Sequence, residues 1–428
     1  MFGFDIKKGD KWMLPVLPAY VASGPLATLI PLYIISIGGG ILDVSYAITL
    51  ASAVTIPSVI FWGYIADYYN KRKALIVMSY LTTTLLLASL FFINTPIGIM
   101  MVYTALAFVG AATAAPINLL VTEHSKGDKA LAPSFTMLQV LSNFGISVGL
   151  LFAWIISGFF SLKILIIALT IPSLASTILA TRMIKEPPLR LRIRINRITE
   201  SAFSLIYRVV ALPNVIISIP SQKNFRYISN FFRLKTIIGL KRKFIVVFYV
   251  ISFVFFFGTA LFNTEYPVAL KLGGITASNI FLIYLAAISI QGVVFYYYGA
   301  ITKNRNYEGK SIIALLGRGA MFVAVGLVFI FVTGFPFFAA NMLLYIIGVG
   351  IAYGIYYPAT YFLFFRTLHK GNRGSAIGTY SAVIGAGTLL GALASGTLSV
   401  TYGFANMFFM SGALMIACAA LFKILPRR

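Results

Sequence analysis

The stretch FIVVFYVISFVFFFGTALFNTEYPVAL, residues 244–270, carries one charged side chain, that of Glu265. An α-helix needs about 20 apolar residues to cross the hydrocarbon core of a bilayer. An isolated strand of the same composition would leave its backbone groups unpaired in lipid. The stretch therefore predicts a membrane-spanning helix.

Eleven other apolar runs of similar length make twelve predicted spans in all. They cover residues 13–37, 44–66, 74–95, 97–121, 132–158, 161–183, 244–270, 277–301, 311–334, 336–365, 374–400 and 403–425. Hydrophobic residues make up 60% of the 428-residue chain and charged residues 10%, whereas soluble domains average about 25% charged residues. We predict an all-α polytopic membrane protein with twelve transmembrane helices.

The distribution of charge predicts the orientation of these spans. The chain has 34 Lys and Arg against 10 Asp and Glu. The basic residues lie between the apolar runs, which argues against nucleic-acid binding. With the N-terminus inside, Lys163 and Lys271 are the two basic residues outside, and 18 remain inside even without the 14 from Arg182 to Lys243. The positive-inside rule then places both termini in the cytoplasm, and we expect a plasma membrane with an anionic inner leaflet.

Residues that bind metals are scarce in this chain. Cys418 is the single cysteine and lies in an apolar run, while His124 and His369 fall in loops. We therefore expect neither a metal site nor another cofactor. The first 14 residues lack the apolar core and cleavage site of a signal peptide, so we interpret them as a cytoplasmic tail.

A basic segment, residues 184–243, separates six spans in residues 1–183 from six in residues 244–428. We expect each group of six to form one helical bundle. The segment contains the apolar stretch SAFSLIYRVVALPNVIISIP between RLRIRINR and KRK, which favours a basic amphipathic segment on the inner leaflet over a solvated linker. A thirteenth span is a weaker alternative, because Arg208 and two prolines interrupt the stretch.

Four pairs of residues, one member from each group of spans, are separated by the same 242 positions. The pairs are Pro116 and Pro358, Gly145 and Gly387, Gly149 and Gly391, and Pro25 and Pro267. The two bundles therefore look like pseudo-symmetric repeats, an architecture known from transporters. At this offset the fourth span corresponds to the tenth and the fifth to the eleventh.

The connection between the second and third spans reads GYIADYYNKRK, residues 63–73. It resembles the signature of the major facilitator superfamily, Gly-x-x-x-Asp-basic-x-Gly-basic-basic. The matching residues are Gly63, Asp67, Lys71 and Arg72, and the departures are Tyr68 and Asn70. The change to Asn70 is mild, because Asn tolerates a left-handed turn. With the spans and the central segment, the resemblance covers essentially the whole chain.

We predict that this motif, including Asn70, forms a gate. Gly63 would let a neighbouring helix approach closely. Asp67 can pair with Lys71 or Arg72 and face the N-terminal end of the eleventh span. This contact would close the cytoplasmic side in one state and break in the other, which is the role that the resemblance implies. The alternative is a topogenic basic cluster with Asp67 as an incidental helix cap.

Glu265 is the acid deepest in a predicted span. It lies about 20 residues from the start of the seventh span, near the outer third of the bilayer. An ionisable residue at that depth is a functional candidate, here for proton coupling, and the adjacent Pro267 suits a gating helix. The alternative is that Glu265 reaches the external headgroups. We expect Arg318, in the ninth span, to extend to the cytoplasmic interface.

Neutral polar residues within the spans mark a candidate substrate cavity. They are Asn118, Gln139, Asn143, Asn263, Gln291, Asn341, Tyr353 and Tyr357. Gln139 and Asn143 share a helix face because they are four residues apart, as do Tyr353 and Tyr357. Amides beside aromatic rings suit sugars and other hydroxylated solutes, and also many drugs. For any single amide, an interhelical hydrogen bond is the alternative.

Together these features predict a secondary transporter or facilitator that moves a small solute by alternating access. The solute could be a sugar, an organic acid, a drug-like molecule or another metabolite. We expect a monomer whose partners are its substrate, the bilayer and, if Glu265 couples, protons. The alternatives are a solute sensor on a transporter-like scaffold and, with less support, a polytopic membrane enzyme, which would need paired carboxylates or a metal site.

Overall fold

A computed structural model describes residues 11–69, 71–124, 128–184, 242–301, 306–367 and 373–423. The first six spans are Val16–Ser23 with Leu26–Ser36, Ile41–Tyr69, Arg72–Leu90, Pro96–His124, Asp128–Phe159 and Leu162–Met183. The later helices are Arg242–Leu272, Ala277–Ile301, Tyr307–Phe331, Gly334–Tyr345 with Tyr353–Thr367, and Arg373–Lys423. We call spans one to six the first half and spans seven to twelve the second half.

Within the described residues, eleven helical stretches are long and apolar enough to cross a membrane. The last of them, Thr379–Lys423, contains a break at Gly403, which has φ +81° and ψ 160°. Glycine adopts this region readily because it has no Cβ. The break separates the eleventh span from the twelfth, so the predicted all-α fold with twelve spans is confirmed for the described residues.

The short connections identify the two faces of the molecule. One face, which we call the distal face, carries residues 37–40, 91–95, 160–161, 273–276, 332–333 and 403. The opposite, terminal face carries both ends of the described chain and the ends of the helices that flank the central segment. The charge distribution predicts that the terminal face is cytoplasmic. The predicted amphipathic part of the central segment lies outside the described residues.

Two spans are not continuous α-helices, although their apolar runs predict single helices. The first span is interrupted at Gly24 and Pro25. A proline cannot donate a backbone hydrogen bond, and a Cβ at Gly24 would lie 2.8 Å from the Cα of Ile146 in the fifth span. The tenth span contains a π-helical segment, Ile346–Ala352. Such segments are frequent at functional sites.

The fifth span packs closely on the first through two glycines. A Cβ at Gly145 would lie 2.7 Å from the carbonyl oxygen of Leu17. One turn further on, a Cβ at Gly149 would overlap the carbonyl oxygen of Val21. Glycines allow such a close approach of two backbones in a membrane.

The second half repeats this packing between the seventh and eleventh spans. A Cβ at Gly387 would lie 2.8 Å from the carbonyl oxygen of Phe253, and one at Gly391 would overlap that of Phe257. The glycine pairs found at the 242-residue offset therefore occupy equivalent places in the two halves. This packing is the structural basis of the repeat.

The offset of 242 does not hold for the first and seventh spans. Val21 and Phe257, which occupy equivalent places, are 236 residues apart. At that offset Pro267 corresponds to Pro31, and each of these prolines lies inside a helix. The predicted pairing of Pro25 with Pro267 is therefore wrong. The second half has six more residues before its glycine pair, and they lengthen its chain without changing the packing.

We expect Gly149→Ala to lower the thermal stability of the purified protein. The added Cβ would force the first and fifth spans apart, and overpacking of this kind costs about 1–3 kcal/mol. Gly391→Ala should behave in the same way. Gly110→Ala is the matched control, because a Cβ there would meet no described atom within 4 Å. Equal melting temperatures for the three variants would contradict the role of the glycine pairs.

Candidate functional site

The two halves meet mainly along two seams, in addition to contacts of the seventh span with the first and second spans. The first seam joins the second and eleventh spans. The Ser45 hydroxyl donates to the carbonyl of Ala392 at 2.6 Å, and the N–H of Gly396 donates to Ser45 Oγ at 3.3 Å. A Cβ at Gly396 would lie 2.5 Å from the Cβ of Ser45. Further along, a Cβ at Gly385 would lie 2.8 Å from Ile56 Cδ1. The two spans are therefore in tight contact.

The second seam joins the fifth and eighth spans. The Ser278 hydroxyl donates to the carbonyl of Trp154 at 2.8 Å. A Cβ at Gly158 would lie 3.3 Å from Ser278 Oγ, and one at Gly292 would lie 3.9 Å from the Cβ of Asn143. This seam also begins at the distal face, because Ser278 is the second residue of its helix.

Both seams extend from the distal face past the middle of the bilayer. Ile56 and Gly292 each lie fifteen residues into their helices, which is about 22 Å at 1.5 Å per residue. Towards the terminal face the described residues show no further contact of this kind. A Cβ at Gly63, two turns beyond Ile56, would meet no described atom within 4 Å, and Gln139, one turn beyond Asn143, is exposed. In the described part of the chain, the halves are thus closed at the distal side and parted beyond mid-bilayer.

The residues of the signature motif lie on the terminal side of this opening. Asp67 falls in the last turn of the helix Ile41–Tyr69, but its side chain and the whole of Asn70 lie outside the described residues. Lys71 is exposed and Arg72 is buried at the start of the third span. No described residue makes the close helix approach predicted at Gly63, and the Asp67 latch stays a prediction.

Glu265 is fully buried in the second half, with 0% of its surface exposed. The alternative that it reaches the headgroups is therefore wrong. Neither carboxyl oxygen makes a hydrogen bond of normal geometry to a described residue. Ser395 of the eleventh span lies beside the carboxyl group, but its hydroxyl donates to the carbonyl of Ala392 at 2.7 Å. No described group of three or more His, Cys, Asp or Glu could hold a metal ion.

The candidate amides fall into exposed and buried sets. Asn118, Gln139 and Asn263 are exposed, Asn143 is half-buried, and Gln291 and Asn341 are buried. Asn341 has no exposed surface, donates to the Phe337 carbonyl at 2.8 Å and accepts from the Tyr266 hydroxyl at 3.2 Å. Its amide therefore joins the tenth span to the seventh, and we remove it from the candidate cavity.

Asn143 and the tyrosine pair border the same space between the halves. Tyr353 and Tyr357 have ring centroids 5.7 Å apart, and the Tyr357 ring lies 6.0 Å from that of Phe295 in the eighth span. One turn before Phe295, Gly292 faces Asn143 across the second seam. The first half thus contributes the amide of Asn143 to this region, and the second half contributes aromatic rings.

Arg318 is a buried residue that the sequence interpretation placed wrongly. It is 2% exposed and donates to the Gly348 carbonyl at 3.2 Å. Its guanidinium carbon lies 5.5, 5.2 and 5.1 Å from the ring centroids of Phe255, Phe322 and Tyr353. The side chain does not extend to the interface, because Arg318 is the twelfth of 25 residues in its helix. This position near the middle of the apolar run could have identified Arg318 as a buried residue from the sequence.

The family of the chain follows from its sequence profile. The profile of the Major Facilitator Superfamily matches residues 16–351 and 311–428. The chain belongs to this superfamily. The family predicted from the signature motif is confirmed, and the chain is a multi-pass membrane protein and a solute transporter of this superfamily.

Solved structures show the same fold at low sequence identity. A variant of the nucleoside transporter NupG superimposes with a TM-score of 0.73 at 12% identity, covering 98% of this chain and 100% of the other. A structure reported for substrate recognition in proton-dependent oligopeptide transporters gives a TM-score of 0.70 at 15% identity, covering 97% of this chain and 98% of the other. No curated protein matches the chain.

Proposed function

We propose that this chain moves a small polar solute across the plasma membrane by alternating access, as a secondary transporter or a facilitator. The closure of both seams at the distal side, together with their end beyond mid-bilayer, carries this proposal. Such an arrangement suits one end state of a cycle in which two halves rock about a central site. If the terminal face is cytoplasmic, as the charges predict, this state opens to the cytoplasm.

The residues between the halves favour a polar organic solute as the substrate. Gln139 and Asn143 offer amide donors and acceptors from the first half, while Tyr357 and Phe295 offer ring faces from the second. A few polar groups among aromatic side chains are typical of small-molecule sites. The related folds carry nucleosides in one case and oligopeptides in another, both of which are polar organic solutes.

The proposal is tested by flux into proteoliposomes. Purified protein is reconstituted and supplied with a panel of labelled sugars, organic acids, nucleosides and short peptides. We expect saturable uptake of at least one class above protein-free vesicles. A solute that binds in a thermal-shift assay but shows no uptake would favour the sensor instead.

We expect Asp67→Asn to slow uptake about tenfold. The predicted latch depends on the charge of Asp67, and charge-assisted hydrogen bonds contribute about 1.5–3 kcal/mol. Asp43→Asn is the matched control, since Asp43 lies at the distal face and accepts from the N–H of Gly40 at 2.8 Å. An unchanged rate in Asp67→Asn, with unchanged labelling from either side, would remove Asp67 from the gate.

A further inference from the structure

Arg318 places a positive charge at mid-bilayer depth in the second half. It lies eleven positions after Tyr307, the first residue of its helix, which is about 17 Å. A charged side chain at this depth is costly and is by default a functional candidate. Because 2% of its surface is exposed, the charge is not carried into water at either face.

No carboxylate in the described part of the chain pairs with this guanidinium. Of the ten acids in the sequence, nine lie in tails, in loops or within a few residues of a helix end, and Glu265 is the tenth. Neither carboxyl oxygen of Glu265 has a hydrogen-bond partner among the described residues. The two groups are therefore not an ion pair in this arrangement.

The neighbours of Arg318 stabilise its charge without neutralising it. Ring faces attract a cation through their quadrupole, and the carbonyl of Gly348, in the π-helical segment, accepts a hydrogen bond from Nη1. Nε has no described hydrogen-bond partner. Since none of these groups carries a negative charge, the field of Arg318 persists, and in a low-dielectric interior it extends further than in water.

This field reaches the space between the halves through Tyr353. The guanidinium carbon lies 5.1 Å from the Tyr353 ring, and that ring lies 5.7 Å from the ring of Tyr357. Arg318 is therefore within about 11 Å of the Tyr357 ring. Tyr357 in turn contacts Phe295 in the eighth span, one turn beyond Gly292, which faces Asn143 of the first half.

We propose that Arg318 makes the second-half wall of this space electropositive, so that the transported solute is an organic anion such as a carboxylate. This inference rests on the proposed transport function and narrows its substrate class. Arg318 acts here through the field of its charge, as a specificity-determining residue.

The electrostatic potential of the space between the halves can be measured without knowing the substrate. In a Cys418→Ser background, which removes the single cysteine, Tyr357→Cys and separately Gln139→Cys serve as reporters. Their rates of reaction with the anionic sulfonatoethyl and the cationic trimethylammonioethyl methanethiosulfonate are compared with those of free cysteine. We expect the anionic reagent to be favoured in the protein relative to free cysteine at one reporter or both.

Variants at Arg318 assign the potential to this side chain. Arg318→Gln should lower the anion-to-cation rate ratio on the order of tenfold, the effect of a unit charge at about 10 Å in a medium of intermediate dielectric constant. Arg318→Lys should keep the ratio. A ratio that is equal in all three proteins overturns the proposal. If Arg318→Gln does not fold, the protein with the unaltered Arg318 still tests the proposal. An anion-to-cation rate ratio at or below that of free cysteine at both reporters overturns the proposal.

Transport of matched pairs tests the substrate class itself. The flux panel includes carboxylates with their amides, such as benzoate with benzamide. We expect uptake of the anionic members. The ratio of the uptake rate of each carboxylate to that of its amide should fall about tenfold in Arg318→Gln. Uptake confined to neutral members would overturn the proposal. If no solute is transported, the proposed transport function is wrong. The reaction rate ratios of the cysteine reporters still test whether the space is electropositive.

Discussion

Replacing Gly396 with leucine is expected to stop transport and to open the distal side of the protein. A Cβ at Gly396 would already lie 2.5 Å from the Cβ of Ser45, and a leucine adds three more carbon atoms in the seam. Overpacking costs about 1–3 kcal/mol, which shifts a two-state equilibrium by about 5–150-fold. The strain exists in the distally closed state alone, so the variant should populate the opposite state.

Distances between spin labels measure this shift directly. In the Cys418→Ser background, labels at Gly40→Cys and Tyr402→Cys report on the distal ends of the second and eleventh spans, where both residues are exposed. Labels at Lys71→Cys and Lys423→Cys report on the terminal face. With Gly396→Leu we expect the distal distance to lengthen and the terminal distance to shorten.

The matched control for Gly396→Leu is Thr397→Leu. Thr397 is the next residue of the same helix and is exposed, so its leucine enlarges the side chain outside the seam. It should leave both distances and the uptake rate close to those of the starting protein. Unchanged label distances in Gly396→Leu would falsify the idea that the second–eleventh seam controls access.

The fold could be predicted from the sequence because lipid imposes a simple rule on each span. Apolar runs of sufficient length had to be helices, and Gly149 and Gly391 indicated where the halves repeat the same packing. The break at Gly403 fits the predicted division between the last two spans. The interruption at Pro25 and the π-helical segment were missed, because both depend on neighbouring spans that a single run does not describe.

The site was less predictable, because burial within a helix bundle depends on which face each residue presents. Asn341 and Gln139 are both single amides in apolar runs, yet one is enclosed by Phe337 and Tyr266 and the other is exposed. Arg318 was assigned to the interface because long cations usually reach water. In the structure, aromatic rings of the seventh and tenth spans, together with Phe322 of the same helix, provide the alternative environment.

Glu265 was predictable as a candidate, but its connection to the distal seam was not. The carboxyl group lies beside Ser395, whose hydroxyl donates to the carbonyl of Ala392. The same carbonyl accepts from Ser45 of the first half. A buried carboxylate without a partner costs several kcal/mol, so this packing suits the neutral acid. After loss of the proton, the carboxylate would need a donor, and the hydroxyl of Ser395 is beside it.

Glu265→Gln is therefore expected to abolish the dependence of uptake on a proton gradient while preserving exchange. Glutamine is close in size and remains neutral at every pH, so Ser395 should stay on the Ala392 carbonyl and the seam should no longer respond to protons. Uptake driven by an imposed pH gradient should fall to the rate at equal pH, whereas counterflow of unlabelled against labelled solute should continue.

Glu308→Gln is the matched control, since Glu308 lies in the first turn of the ninth span at the terminal face. If gradient-driven uptake persists in Glu265→Gln, or is absent from the unaltered protein, Glu265 does not couple protons and the chain works as a facilitator or with another ion.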